Sequence, residues 1–351
     1  MSVSLEAPRS RPYPRYPIDI GALVVAATGA DTSPSKPIDM GGGADPYIVD
    51  GQGYYEGKKI YAHTENYACT EVRFRVADTL ADLPKARPQV AFDHALTAKP
   101  GEPRPHATWA QEFGYANGMC FSYYSGGTSR DHGYQTQVLA GWEDEPLNKM
   151  EYVGQLDIPI ESELVIDASR FEIDDEAFLV LSALDEKAKM QGLYLLPMKD
   201  LWTAAGDPVL VSEPRYRWEK KGGRHGVNEG GQHVQRMLTL GKGKEKVKRD
   251  CIEYAGGPSW DDPYSTGRLI HTPGTEVLDQ DNWTKQRRPI LSRYKSMPGV
   301  RMPGVGHGSY IKEGDSDFMA LQCKKFRGSG WLRQCIIAPY YETPDNKLAF
   351  Y

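Results

Sequence analysis

The chain is 351 residues long, with 42 Lys and Arg against 47 Asp and Glu, for a formal net charge of −5 at pH 7. Apolar residues make up 40% and charged residues 25%, an ordinary globular balance without the basic excess of a nucleic-acid or anionic-membrane binder. No run of about 18 apolar residues could span a bilayer as a helix.

At the start, residues 1–18 are rich in Pro and Arg and predict an extended arm. The following IGALVVAATGA, 20–30, predicts a first buried strand; the alternative, the apolar part of a leader, is disfavoured by Asp19 at its mouth and by its small residues. Residues 19–351 then read as one domain. Cys69, Cys120, Cys251, Cys323 and Cys335 are dispersed and odd in number, which argues against a disulfide framework or a zinc site. Free thiols fit a reducing compartment, and with no clear leader the expectation is a cytoplasmic protein, a secreted one being the alternative.

Further along, four stretches share a form: a polar residue, an alternating run, a turn and an apolar strand. They are GADPYIVDGQGYYEGKKIYAHT, WAQEFGYANGMCFSYYSGG, IDASRFEIDDEAFLVLSAL and HGSYIKEGDSDFMALQCKK, and VNEGGQHVQRMLTL follows it more loosely. Each predicts a β-hairpin. The residues heading them, Asp45, Glu112, Asp167, Glu229 and His307, are 67, 55, 62 and 78 positions apart. Five such units, about 70 residues each, predict an all-β, five-bladed β-propeller, with a jelly roll or two-sheet sandwich as the alternative. In a propeller the heads of the innermost strands point into one mouth, so Asp45 would meet its equivalents there.

Several carboxylates in one mouth push their pKa values apart, leaving one ionised and another as a proton donor near neutrality. Glycoside hydrolysis uses that division. Other segments carry less. GGGADP lacks the strand and helix context of a nucleotide loop. KGKEKVKRD, 242–250, reads as a solvated hairpin tip, and EKKGGRHG, 219–226, as a flexible rim loop. DQDNW, 279–283, lacks the glycine and final glutamate of an EF-hand.

GADPYIV, WAQEFGYANGMCFSYYSGG, VIDASRFEIDDEAFLVLSA, GVNEGG and PGVGHGSYI, in this order, resemble glycoside hydrolase family 43, most closely its arabinan- and arabinofuranoside-cleaving branches. The resemblance covers roughly residues 40–340. It implies a five-bladed propeller and single-step hydrolysis with inversion. Asp45 matches the general base, Glu229 the general acid and Asp167 the third carboxylate, which orients the acid and raises its pKa. Glu112 matches a glutamate of the family's WAPE segment, structural or substrate-facing. His307 matches an axial histidine that faces a calcium or other ion in several members, often through water; no cofactor is otherwise required. The departures are WAQE for WAPE, NEGG for NEGP and GHGS for GHNS, which point to a divergent member. Trp109, Tyr264 and Arg268 are candidate sugar contacts.

The reading is therefore a glycosidase acting on an α-L-arabinofuranoside or related pentose linkage, exo-acting on an oligosaccharide or glycoside. Alternatives are the same fold on β-xyloside, galactofuranoside or anhydro-galactose linkages, and a sugar-binding propeller without catalysis. The sequence specifies no oligomeric state.

Overall fold

The computed structural model describes residues 37–51, 57–64, 69–97, 107–127, 133–142, 147–221, 225–240, 245–292 and 302–351. The arm and the strand expected over 20–30 lie outside these residues.

The described chain is nearly all strand. After β1 (Ile38–Gly42) come four-stranded antiparallel meanders: β2 (Ala44–Asp50), β3 (Lys59–Thr64), β4 (Glu71–Ala77) and β5 (Gln89–Asp93), then β6 (Ala107–Ala116), β7 (Met119–Gly127), β8 (Tyr134–Trp142) and β9 (Glu151–Gln155). The third comprises β10 (Val165–Ile173), β11 (Glu176–Asp185), β12 (Met190–Met198) and β13 (Val209–Ser212). A short β14 (Lys220–Lys221) precedes the fourth: β15 (His225–Thr239), β16 (Lys246–Gly256), β17 (Ser265–His271) and β18 (Trp283–Lys285). The third and fourth merge into one nine-stranded sheet through a short parallel pairing of β12 with β15. The last group is β19 (Gly306–Glu313), β20 (Ser316–Lys324), β21 (Arg333–Glu342) and β22 (Leu348–Phe350). Its sheet is completed from the other end of the chain, because β1 pairs antiparallel with β21.

Turn chemistry makes these hairpins. Asn117 and Gly118 have φ of 57° and 73°, and Asp174 and Asp175 have 53° and 65°. Two consecutive left-handed residues give the turn whose twist matches paired strands. The five hairpins predicted from sequence are the β2–β3, β6–β7, β10–β11, β15–β16 and β19–β20 pairs. Apolar side chains fill the spaces between successive meanders. Ile60, Phe74, Phe113 and Leu139 join the first to the second, and Phe121, Val138, Leu179 and Leu196 the second to the third. Phe178, Leu193, Ile252 and Trp283 join the third to the fourth, and Ile48, Tyr61, Ile311 and Phe318 the last to the first. The first strands touch in the cycle β2, β6, β10, β15, β19 and back to β2.

One local expectation needs correction. Residues 219–221 are not a flexible rim loop: Glu219 is buried, and β14 pairs with the start of β15 through Lys220↔Gly226 and Lys221↔His225. DQDNW forms a short 3₁₀ turn in which the Asp279 carboxylate accepts from the Asp281 N–H. Residues 246–250 do form the exposed to half-buried start of β16, as a solvated hairpin requires.

Candidate active site

Every first strand carries a β-bulge near its start. The register slips between Ala44 and Tyr47, Trp109 and Glu112, Ile166 and Ser169, Glu229 and Gln232, and Gly306 and Ser309. In each, two residues oppose one on the partner strand, and the first of the two is left-handed. These are Asp45 (φ 51°), Ala110 (46°), Asp167 (57°), Gly230 (55°) and His307 (49°). A bulge re-aims a side chain, and here five of them aim at one another. His307 Nδ1 lies 3.3 Å from Asp45 Oδ1 and 4.0 Å from Asp167 Oδ2. The Gly230 N–H donates to Asp167 Oδ2 at 3.1 Å. The Ala110 N–H donates to Thr64 Oγ1, whose hydroxyl donates to Asp45 Oδ2 at 3.3 Å.

The structural repeat thus differs from the one read in sequence. Asp45, Asp167 and His307 hold the equivalent place, but the second and fourth units place Ala110 and Gly230 there, not Glu112 and Glu229. Gly230 answers a packing demand as well as a backbone one: a Cβ there would stand 2.8 Å from the His307 ring. Glu229 and Trp109 are one residue earlier on their strands. Glu229 is half-buried; its Oε1 accepts from the Tyr264 hydroxyl at 2.8 Å and its Oε2 from Gln191 Nε2 at 3.3 Å. Trp109 is half-buried and stacks on Tyr134, with ring centroids 3.6 Å apart.

Two residues past each bulge lies a second layer. Glu112, Ser169 and Gln232 form one buried chain, in which Gln232 Nε2 donates to Glu112 and the Ser169 hydroxyl to Gln232 Oε1. Glu112 therefore stands behind the mouth, bonded to protein, not on its surface. Arg268 departs further from its expected role. It is fully buried and paired with Glu253 and with Glu342 at 2.6 Å, so it offers no face to a sugar. Tyr264 is also buried, and its hydroxyl is spent on Glu229.

Burial sets the electrostatics. It raises Glu229 to about 7, helped by the negative charge of Asp45 and opposed by the Tyr264 hydrogen bond and the Arg333 charge. Burial, then the charges of Glu229, Asp45 and Glu112, lift Asp167 well above the carboxylate range. Glu112 rises to about 8 for want of solvent. The His307 imidazole is held below its ordinary value by the same burial, although Asp45 favours its protonation. Repelling carboxyls this close titrate as a unit.

Sequence reading missed Arg333, Gln322, Gln191 and Thr64. Arg333 Nη1 lies 3.6 Å from Asp45 Oδ1 and donates to Gln322 Oε1 at 3.0 Å; the same oxygen accepts from the Asp45 N–H. None sits at the head of a first strand, where the repeat pattern directs attention. Among the described residues, no three His, Cys, Asp or Glu side chains converge as a cation site. His307 turns Nδ1 to Asp45.

The described fold is an all-β cycle of meanders with a carboxyl cluster where its first strands converge. The family profile "Glycosyl hydrolases family 43" matches residues 34–348, and the chain belongs to that family. It is 24% identical to the extracellular exo-α-(1→5)-L-arabinofuranosidase of Streptomyces chartreusis over 81% of this chain and 80% of the relative. It is 25% identical to its namesake from Streptomyces avermitilis over 62% of this chain and 43% of that one. For the α-L-arabinofuranosidase 43 of Humicola insolens the identity is 25%, over 81% of this chain and 55% of the relative. The chain thus spans about half the length of the last two. Among solved structures, the α-L-arabinofuranosidase of Lactobacillus brevis superposes with a TM-score of 0.73 at 21% identity, over 89% of this chain and 94% of that one. That likeness shows the fold.

Proposed function

We propose that this chain is an inverting glycoside hydrolase that releases terminal α-L-arabinofuranosyl residues, built as a five-bladed β-propeller. The observation that carries the reading is the meeting of Asp45, Asp167 and Glu229 in one wall, with Glu229 raised to about 7. The cycle of first strands and the pairing of β1 with β21 support closure of five meanders into a ring.

In this reading a water held by Asp45 attacks the anomeric carbon and gives its proton to Asp45. The glycosidic C–O bond breaks as Glu229 protonates the departing oxygen, and the product inverts. Asp167 is fixed by the Gly230 N–H, and the charge of Glu229 helps to keep it protonated. Arabinofuranose and exo-action are supported by the names of the relatives. The cytoplasmic expectation finds no support, since both Streptomyces relatives are named extracellular; secretion is the better proposal. No helix of the described residues is long and apolar enough to cross a membrane.

The test is hydrolysis of a panel of nitrophenyl glycosides and arabino- and xylo-oligosaccharides by wild type, Glu229→Ala and Asp45→Ala. The reading expects one furanoside to be cleaved, with oligosaccharide turnover falling on the order of a hundred-fold or more in both variants. Glu229→Ala should keep more activity on the nitrophenyl substrate, whose leaving group needs little protonation. Cleavage of xylosides alone would overturn the sugar assignment, and full activity in either variant would overturn its role.

A further inference from the structure

Two tryptophans stand exposed beside the mouth. Trp260 is 38% exposed and Trp331 51%. Their ring centroids are 5.1 Å apart with planes inclined at 40°, so together they form one tilted, exposed aromatic pair. Both lie in connections that leave the bulge end of the strands. Trp260 follows β16, whose last residues pair with Asn228 and Glu229; Trp331 follows β20, whose Gln322 pairs with Gly306. The connections are stitched together. The Lys324 ammonium, buried, donates to the Ser259 and Gly330 carbonyls, and the Gly328 N–H donates to Asp262 Oδ1 at 2.9 Å.

The platform is continuous with the candidate active site on two sides. The Arg333 guanidinium sits over the Trp331 ring at 5.4 Å and reaches Asp45 Oδ1 at 3.6 Å. Four residues past Trp260, Tyr264 donates to Glu229. Lone exposed apolar residues are ordinary on a surface, but adjoining ones mark interaction sites, and these two rings adjoin. A flat ring with a polar edge, already immobilised, binds another flat amphipathic ring at little entropic cost. A protein partner would favour a broad apolar patch, whereas here a compact aromatic pair is linked through Arg333 to the Asp45 carboxylate.

We propose that Trp260 and Trp331 form a second sugar subsite, which stacks the ring next to the one whose bond is cleaved and so selects oligosaccharides over simple glycosides. This rests on the glycosidase reading. It goes further in assigning recognition to two residues outside the catalytic cluster, on connections that the hairpin repeat does not include.

The experiment uses Trp331→Ala and Trp260→Ala, the second because Trp331 also packs against Arg333. Kinetics on α-1,5-arabinotriose are compared with those on α-L-arabinofuranosyl fluoride, whose leaving group cannot reach the platform. Each variant should lose roughly ten-fold more kcat/KM on the trisaccharide than on the fluoride, mainly through KM. Equal losses on both substrates would overturn the subsite. Calorimetric titration with arabinotriose, on a Glu229→Gln background if wild type turns it over, gives an independent readout. A roughly ten-fold weaker Kd without Trp260 is expected, and an unchanged Kd overturns the proposal. Wild type inert on both substrates removes the glycosidase reading instead, and the titration then decides the platform by itself. If the variants change the sedimentation of the protein but neither kinetics nor Kd, the pair is a contact between copies of the chain and the subsite is refuted.

Discussion

Glu229 is where a single residue's surroundings decide function. A carboxyl held near 7 by burial can give up a proton in neutral solution, which an exposed glutamate cannot do efficiently. The Tyr264 hydroxyl opposes that rise, because donating to Oε1 favours the ionised form. Removing it should therefore raise the acid further. In Tyr264→Phe the alkaline limb of the kcat/KM profile, where activity falls as Glu229 loses its proton, should move to higher pH by about half a unit to one unit. A limb that stays put or moves down would show that another group sets it. The site was partly legible at this scale. Asp45, Asp167 and Glu229 stand in the quoted motifs and meet in space. Arg268 was misjudged because its partners Glu253 and Glu342 lie on other strands, which no local pattern links to it. Arg333 was missed for the same reason.

At the scale of elements, the hairpins were legible because turn residues punctuate them: Asn-Gly, Asp-Asp and Gly-Asp between alternating runs. The bulges were not. A bulge inserts one residue into a period of two, and a count of polar residues cannot say which residue is the extra one. That is why Glu112 was grouped with Asp45 although Ala110 is its structural counterpart. The bulges also give a sharp expectation for Gly230. In Gly230→Ala the methyl group meets the left-handed backbone, costing about 1–2 kcal/mol, and collides with the His307 ring. Displacing His307 moves its neighbour Asp45, so kcat/KM should fall on the order of a hundred-fold. Wild-type kcat/KM in this variant would show that the convergence of bulges does not hold the site.

For the whole molecule, a buried ion cluster ties the fourth meander to the last. Glu253 pairs with Arg236 and Arg268, Arg268 with Glu342, and Arg236 also donates to the Tyr340 hydroxyl at 2.7 Å. Burial would raise Glu253, but the two arginines prevail and hold it at about 2. A carboxylate depressed in the folded state stabilises it above the ordinary value of 4.5 and loses that contribution as pH falls toward about 2. Glu253→Gln takes from Arg236 its described carboxylate partner and leaves Arg268 with Glu342 alone; it should cost about 3–5 kcal/mol at pH 7, with less difference from wild type near pH 3. Denaturant melts at both pH values check this; equal midpoints at pH 7 would mean that solvent already screens the cluster. The succession of hairpins was legible in the sequence, whereas the strand β1 that completes the last sheet was not. IDMGG is too short and glycine-rich to read as a strand by itself, and only its partner β21 makes it one.

That borrowed strand makes the assembly of the site wait for a distant part of the chain. The Asp45 N–H is held by Gln322, 277 positions further along the chain, and β1, immediately before Asp45, has its only described ladder with β21. Contacts of such separation form late, after the local hairpins. Until β21 has been made, a nascent chain carries Asp45 without its final neighbours, and its unpaired β1 is an open edge that invites association with other chains. During refolding from denaturant, hydrolysis should return in a slower phase than the far-ultraviolet signal of the sheets, and dilution should raise the yield.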